Sequence, residues 1–462
     1  MEERDEAVSA ALAWFDSGAF EAALAPRIAR ATQSQVTEDR SRLIAYLEDE
    51  LQPELKALGF RTTLFENPVT GAPPLMIAER IEALGLPTVL MYGHGDVVRG
   101  YEDQWQPGLS PWVLARRGDR YFGRGTADNK GQHSINLAAL ARLLTGRKRL
   151  GLNIRMLFEM GEEIGSPGLR QFCEIHREAL AADVFIASDG PRLSADQPTV
   201  FLGSRGAFNF DLEVNLRTGA HHSGNWGGLL ANPGTILAHA IASLMDAHGA
   251  IRVAGLRPPP IPESVCRALA LLKVGEKEGP AVDENWGEPG LSPAERVFGW
   301  NALEVLAFGC GNPDFPVNAI PGQAKAHLQL RFVVGSDPAL FEKALRDHLD
   351  DSGFTMVQVR PAREGVFPAT RLDPENAWVT RVSASIERTT GARPAIIPNL
   401  GGSLPNDCFA DVLGLPTIWI PHSYPGCGQH AANEHLLINV AREGLAMMVG
   451  LFFDLGSETA PS

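Results

Sequence analysis

Long hydrophobic runs are missing from this 462-residue chain. No apolar stretch approaches the ~18 residues of a membrane-crossing helix, which sets that class aside. The first residues, Met1-Glu2-Glu3-Arg4-Asp5-Glu6, are acidic and lack the apolar core of a signal peptide, so a cytoplasmic location is expected. Cysteine is scarce. Cys173, Cys266, Cys310, Cys408 and Cys427 are odd in number and show no C-x-x-C spacing. They suit reduced thiols and cannot form a zinc ribbon. Basic residues are outnumbered, 41 Lys and Arg against 55 Asp and Glu, for a net charge of −14. A nucleic-acid partner needs a basic face, so none is expected. The chain also lacks internal repeats and low-complexity tracts.

What remains is an ordinary globular composition, 44% hydrophobic and 21% charged, in a chain long enough for two domains. Thr37 to Leu58 carries Leu43, Tyr46, Leu47, Leu51, Leu55 and Leu58 at amphipathic-helix spacing, with Gly59 to stop it and Pro53 placed to kink it. Strand-like and helix-like segments then alternate to about residue 200, as in a mainly parallel sheet covered by helices. The texture changes after Gly203-Ser204-Arg205-Gly206. Phe208, Phe210, Leu212, Val214 and Leu216 alternate with polar residues, as in a half-buried antiparallel strand, and Ala326 to Val333 does the same. Pro233 to Ala247 and Pro338 to Leu349 read as helices, and Arg257 to Pro293 as irregular. The expected fold class is α/β: one domain with a mainly parallel sheet flanked by helices, interrupted by an inserted α+β domain with an antiparallel sheet. The boundaries fall at residues 1–203, 204–368 and 369–462.

Chemistry-bearing residues gather where apolar runs end. Leu152 to Phe158 leads into Met160-Gly161-Glu162-Glu163-Ile164-Gly165, and Thr88 to Met91 into Tyr92-Gly93-His94-Gly95-Asp96. Asp183 to Ala187 leads into Ser188-Asp189-Gly190, and Thr417 to Ile420 lies ahead of Gln429-His430. Asp128 sits in Gly125-Thr126-Ala127-Asp128-Asn129-Lys130-Gly131, just before a helical stretch, Ile135 to Leu144. In open α/β sheets functional groups collect outside the carboxyl ends of the strands. Singly, each residue has a plain structural use: Asp128 suits a helix cap, Asp189 a turn, His94 a core imidazole. Five segments with one pattern are not explained that way.

Neighbours in sequence cannot point the same way, so Glu162 and Glu163 divide into separate jobs. Three carboxylates, Asp128, Glu163 and Asp189, and two imidazoles, His94 and His430, over-supply a single divalent ion. Two ions ~3.5–4 Å apart that share Asp128 use the set economically and leave room for a water. Asp96 is placed to accept the second N–H of His94. Glu162 is then the free acid that takes the water's proton and passes it to the departing amine. Carboxylate and imidazole donors suit zinc, with manganese or cobalt as alternatives. Cys427, three residues before His430, is left out of this oxygen-rich set.

The segments G-H-G-D, G-T-A-D-N-K-G, G-E-E-I-G-S, S-D-G and H-A-A-N-E-H span nearly the whole chain. In this order they resemble the dinuclear metallopeptidases of the carnosinase, aminoacylase and succinyl-diaminopimelate desuccinylase type. The resemblance implies that His94, Asp128 and Asp189 hold one metal and Asp128, Glu163 and His430 the other. Glu162 would be the general base, Asp96 the partner of His94, and Asp128-Asn129 a cis peptide bond. It further implies that the inserted domain is a lid that forms a homodimer. In dipeptidases of this type the lid sends a histidine into the partner's active site. His222 in Ala220-His221-His222-Ser223-Gly224 matches that position and suits a developing oxyanion. Arg331 matches the position that binds the substrate's terminal carboxylate, for which a guanidinium fork is suited. Asn318 matches another substrate-contacting position, and Gly402 and Ser403 a loop that offers donors to the same carboxylate. The family's proline soon after Asp96 is absent, and Val97-Val98-Arg99-Gly100 stands there. The implied activity is cleavage of an amide bond in a dipeptide or short peptide with a free carboxylate. The alternative is hydrolysis of an N-acyl amino acid.

Overall fold

Strands largely buried on both faces form the centre of the molecule, whose computed structural model describes residues 2–36, 40–275 and 280–457. Asn153–Glu159, Thr88–His94, Val184–Ala187 and Thr417–Trp419 lie side by side and parallel in an eight-stranded sheet. Such strands need cover above and below. The sheet continues on one flank through Leu75–Arg80 and Arg61–Phe65, both antiparallel to their neighbours. On the other it continues through Thr199–Phe201 and Ala395–Ile397. Lys130–Gly146 and Ile438–Ser457 cover one face, joined by Glu2–Asp16 and Ala377–Thr390. Leu169–Ile175, Glu263–Leu269 and Pro293–Phe298 cover the other. Each fully buried Leu or Phe contributes about 1.5–3 kcal/mol, so these two apolar layers dominate the stability.

The chain then enters a separate four-stranded antiparallel sheet, in the order Ala302–Gly309, Gln323–Phe332, Gly206–Asn215, Val357–Phe367. The sequence alternation is realised there. Phe208, Phe210, Leu212 and Val214 are buried against helices Pro233–Leu244 and Phe341–Asp351. Leu216 lies past the strand end, where its N–H donates to the Gly322 carbonyl at 3.0 Å.

Three local expectations change. The helix expected from Thr37 to Leu58 is described from Arg40, and Thr37 itself lies outside the described residues. It contains a π-helical segment, Tyr46–Leu51, where Gln52 N–H reaches back to the Leu47 carbonyl. Pro53, which brings no N–H to the ladder, follows that wider turn at the start of helix Gln52–Ala57. The helix begun at Pro233 ends at Leu244, because Asp246 accepts from the His248 and Ala250 N–H groups and turns the chain. The stretch from Arg257 to Pro293 is not wholly irregular: Glu263–Leu269 is a short helix that buries Val265 and Leu269. Among the described residues, no helix is long and apolar enough to cross a membrane.

Candidate metal centre and substrate cleft

The ends of the central parallel strands deliver the predicted residues to one place. His94 closes its strand, Glu162 and Glu163 form a 3₁₀ turn beyond Glu159, and Asp189 follows Ala187 by two residues. Asp128 arrives from a different direction, ahead of helix Lys130–Gly146, across the expected cis peptide bond to Asn129. His430 comes from the loop beyond Trp419, with its backbone at φ 59°.

Asp128 stands between the two imidazoles. Its Oδ1 is 3.0 Å from His94 Nε2 and its Oδ2 is 3.1 Å from His430 Nε2. Asp189 Oδ2 lies 3.5 Å from His94 Nε2, and Glu163 Oε2 lies 3.0 Å from His430 Nε2. His94 thus adjoins Asp189 and His430 adjoins Glu163, with Asp128 in contact with both imidazoles. Ligand atoms of His94, Asp128 and Glu163 all lie within 4.8 Å of one another.

Asp96 does more than the sequence suggested. His94 Nδ1 is 3.1 Å from the Asp96 carbonyl and 3.4 Å from its Oδ1. The same carboxylate accepts the Glu162 and Glu163 backbone N–H groups, each at 3.1 Å. One buried acid thus fixes both an imidazole and the turn that carries the paired glutamates.

Crowding of buried acids shapes the electrostatics. Burial, with Asp128 nearby, pushes Glu163 up to about 7 even though His430 opposes it. Burial also raises Glu162 well above the ordinary carboxylate range, against the pull of His94 and with Asp189, Glu163 and Asp128 adding to it. The bonds of His430 to Asp128 and Glu163 hold it up at about 11. The charge that opposes these carboxylates is thus the proton on an imidazole, a place that a divalent metal would take. The donor set, oxygen and imidazole nitrogen in mutual contact, fits such ions.

Residues outside the first expectation brace the centre. Glu434 Oε1 accepts from the Gly125, Ala127 and Asp128 N–H groups at 3.1, 2.9 and 3.1 Å, and its Oε2 from Arg124 Nη1 at 2.8 Å. Asn129 donates to the Ser188 carbonyl at 2.8 Å, and its Oδ1 meets His133 Nδ1 at 3.1 Å, whose Nε2 is 2.7 Å from Tyr46 Oη. Glu434 and Asn129 lie inside the motifs, but a charged or amide side chain there says nothing of which backbone it grips.

A cleft of about 650 Å³ opens beside Glu162, Glu163 and His430 and runs to the antiparallel sheet, where Arg331 lines it with Asn209 and Gln329. Arg331 Nη1 donates to Ser403 Oγ at 2.8 Å, and Ser403 Oγ donates to the Arg205 carbonyl at 2.9 Å. The structure so joins Arg331 and Ser403. It does not bring Gly402, Asn318 or His222 to the cleft of the same chain. Gly402 is exposed, turned away by one residue from Ser403. Asn318 and His222 are both exposed and adjoin each other, His222 pairing with Ala319 and the Asn318 carbonyl accepting the Ser223 N–H at 2.9 Å.

This fold and this constellation define a peptidase: the chain belongs to Peptidase family M20/M25/M40, which it matches over residues 90–454. It is 25% identical over 396 residues to the cysteinylglycine-S-conjugate dipeptidase of Corynebacterium striatum, covering 81% of this chain and 84% of that protein. It is also 25% identical over 403 residues to the Beta-Ala-His dipeptidase of Homo sapiens, covering 83% and 78%. Among solved structures it is similar to human carnosine dipeptidase 1, with a TM-score of 0.75 and 22% identity over 98% of this chain and 100% of that one. An M20 family metallo-carboxypeptidase from Sulfolobus solfataricus gives a TM-score of 0.77 and 24% identity, over 95% and 99%. Both structural likenesses bear on the fold.

Proposed function

We propose that the chain is a metal-dependent dipeptidase that hydrolyses dipeptides or short peptides with a free carboxylate. The observation that carries this is Asp128, set between His94 and His430 at 3.0 and 3.1 Å, in a centre that opens on the Arg331–Ser403 cleft. His94, Asp128 and Asp189 would hold one divalent ion, and Asp128, Glu163 and His430 a second, zinc in the first instance. Such ions polarise a carbonyl and make water acidic.

The chain's own groups do the rest. Glu162, its backbone tied to Asp96, takes the proton of the attacking water on its carboxylate and returns it to the leaving amine nitrogen. Its raised pKa, from burial, suits an acid that must release that proton. Arg331, steadied by Ser403, pairs with the substrate carboxylate and fixes the scissile bond beside the centre.

In this reading residues 204–368 form a lid inserted between the two parts of the catalytic domain, and two copies of the chain pair through it. The exposed positions of His222 and Asn318 support their use toward a second copy, where His222 would stabilise the oxyanion. Gly402 would offer its backbone to the substrate carboxylate. The working compartment is the cytoplasm.

The test is a panel of dipeptides beside N-acetyl and N-succinyl amino acids, with zinc, manganese or cobalt added to the apo-protein. Dipeptide turnover that requires metal is expected. Inert dipeptides with an active acyl amino acid overturn the reading.

A further inference from the structure

Two arginines line the cleft, Arg331 and Arg170, and the second is paired with Asp407. Burial together with the charge of Arg331 holds the neighbouring Arg205 down at about 10. Apart from Glu162 and Glu163 of the candidate centre, Asp407 is the one acid among the described residues that line the cleft.

Asp407 is held from two sides. Its neighbour Asn406 is fully buried, donates to Thr370 Oγ1 at 2.9 Å and Thr417 Oγ1 at 3.1 Å, and accepts from Trp419 Nε1 at 2.7 Å. That network anchors the loop to the sheet. Asp407 Oδ2 accepts from Arg170 Nη1 at 2.7 Å, while Oδ1 accepts from no other residue among those described. Asp407 is only 9% exposed, whereas the Arg170 side chain is 54% exposed. A carboxylate can accept about four hydrogen bonds, so Asp407 keeps spare capacity toward the cleft. The hydrolytic chemistry uses none of it.

A dipeptide is a zwitterion. A cleft that offers a guanidinium at Arg331 and an accepting carboxylate oxygen at Asp407 holds a partner for each of its ends. We propose that Asp407 receives the free α-ammonium group of the substrate and so selects peptides with an unblocked N-terminus, a specificity role that rests on the dipeptidase reading above. The ammonium donates to Oδ1 while Oδ2 stays with Arg170. A substrate that lacks the amine leaves this spare acceptor capacity unused, a mismatch that a site built around polar groups rejects.

Kinetics of the metal-loaded enzyme on alanylalanine and on N-propionyl-alanine, which differ only in the amine, test this. The wild-type kcat/KM is expected to favour alanylalanine by about 10- to 100-fold. Asp407→Asn collapses that ratio through KM for alanylalanine, and Arg170→Met keeps it. Equal wild-type rates on the two substrates overturn the proposal without any variant, so a poorly folded Asp407→Asn protein does not shelter it. An unchanged ratio in Asp407→Asn overturns it too, as does an Arg170→Met protein that copies the collapse, because Asp407 then merely braces helix Leu169–Ile175. Alanylalanine cleaved without preference removes this proposal alone. An enzyme active on N-propionyl-alanine and inert on alanylalanine removes the dipeptidase reading with it.

Discussion

Glu434 grips the backbone of Asp128 from behind: Glu434 Oε1 accepts the Asp128 N–H at 3.1 Å, together with those of Gly125 and Ala127. The acid that faces both imidazoles is therefore aimed by a second acid four residues beyond one of them. Arg124, 1% exposed in its side chain, neutralises that second acid at 2.8 Å. Glu434→Ala strands a buried guanidinium and three N–H groups, and is expected to cost about 3–5 kcal/mol of folding stability. The loop it releases should also weaken metal binding by about 10- to 100-fold. Urea unfolding and competition with a coloured chelator measure the two. An unchanged metal affinity would show that Asp128 is aimed by something else.

Glu162→Gln keeps shape and removes the proton acceptor. Turnover should fall by about 10²–10⁴-fold, with metal content as in the wild type, because Glu162 stands outside both proposed ligand groups. Metal analysis of the purified variant beside its dipeptidase rate decides this.

Arg331→Met leaves Ser403 without the donor it meets at 2.8 Å and the cleft without its carboxylate partner. KM for a dipeptide should rise by about 10- to 100-fold. The same dipeptide with its C-terminus amidated should distinguish the two enzymes far less. A uniform loss on both substrates would assign Arg331 to structure.

Acid should destabilise the protein through His422. This imidazole is fully buried, with Nε2 at 3.0 Å from Ser188 Oγ and 3.3 Å from Asn136 Oδ1. Burial, aided by Arg192, holds its pKa well below the ordinary 6.5. The unfolded chain therefore binds this proton first as pH falls. The stabilisation is complete above 6.5 and is lost below it, by about 1.4 kcal/mol per pH unit until the folded pKa is reached. Urea midpoints between pH 7.5 and 5.5 should fall more steeply for the wild type than for His422→Asn. Parallel slopes would exclude His422 as the source.

The parts of the fold that follow from one-dimensional patterning were legible in the sequence. Phe208, Phe210, Leu212 and Val214 alternate because one face of their strand meets a core, and the pattern survives any tertiary detail. The residues of the candidate centre were legible for a related reason: each follows an apolar strand or opens a helix within a glycine-rich turn. Asp407 was not, because its part depends on Arg170, 237 residues away, and on a cleft wall contributed by another sheet. Glu434 stood inside a recognised motif, yet a carboxylate that caps a distant backbone loop carries no periodic signal. The π-helical turn before Pro53 was hidden as well, since the apolar spacing of Tyr46, Leu47 and Leu51 fits either helix type.

The bond from Asp128 to Glu434 spans 306 residues of chain. During synthesis the loop around Asp128 leaves the ribosome with its three N–H groups unpaired, and it stays so until residue 434 follows. The antiparallel sheet, contained between Gly206 and Phe367, has all its strands well before that moment. The nascent chain therefore holds every strand of that sheet before it holds the acid that grips the Asp128 loop.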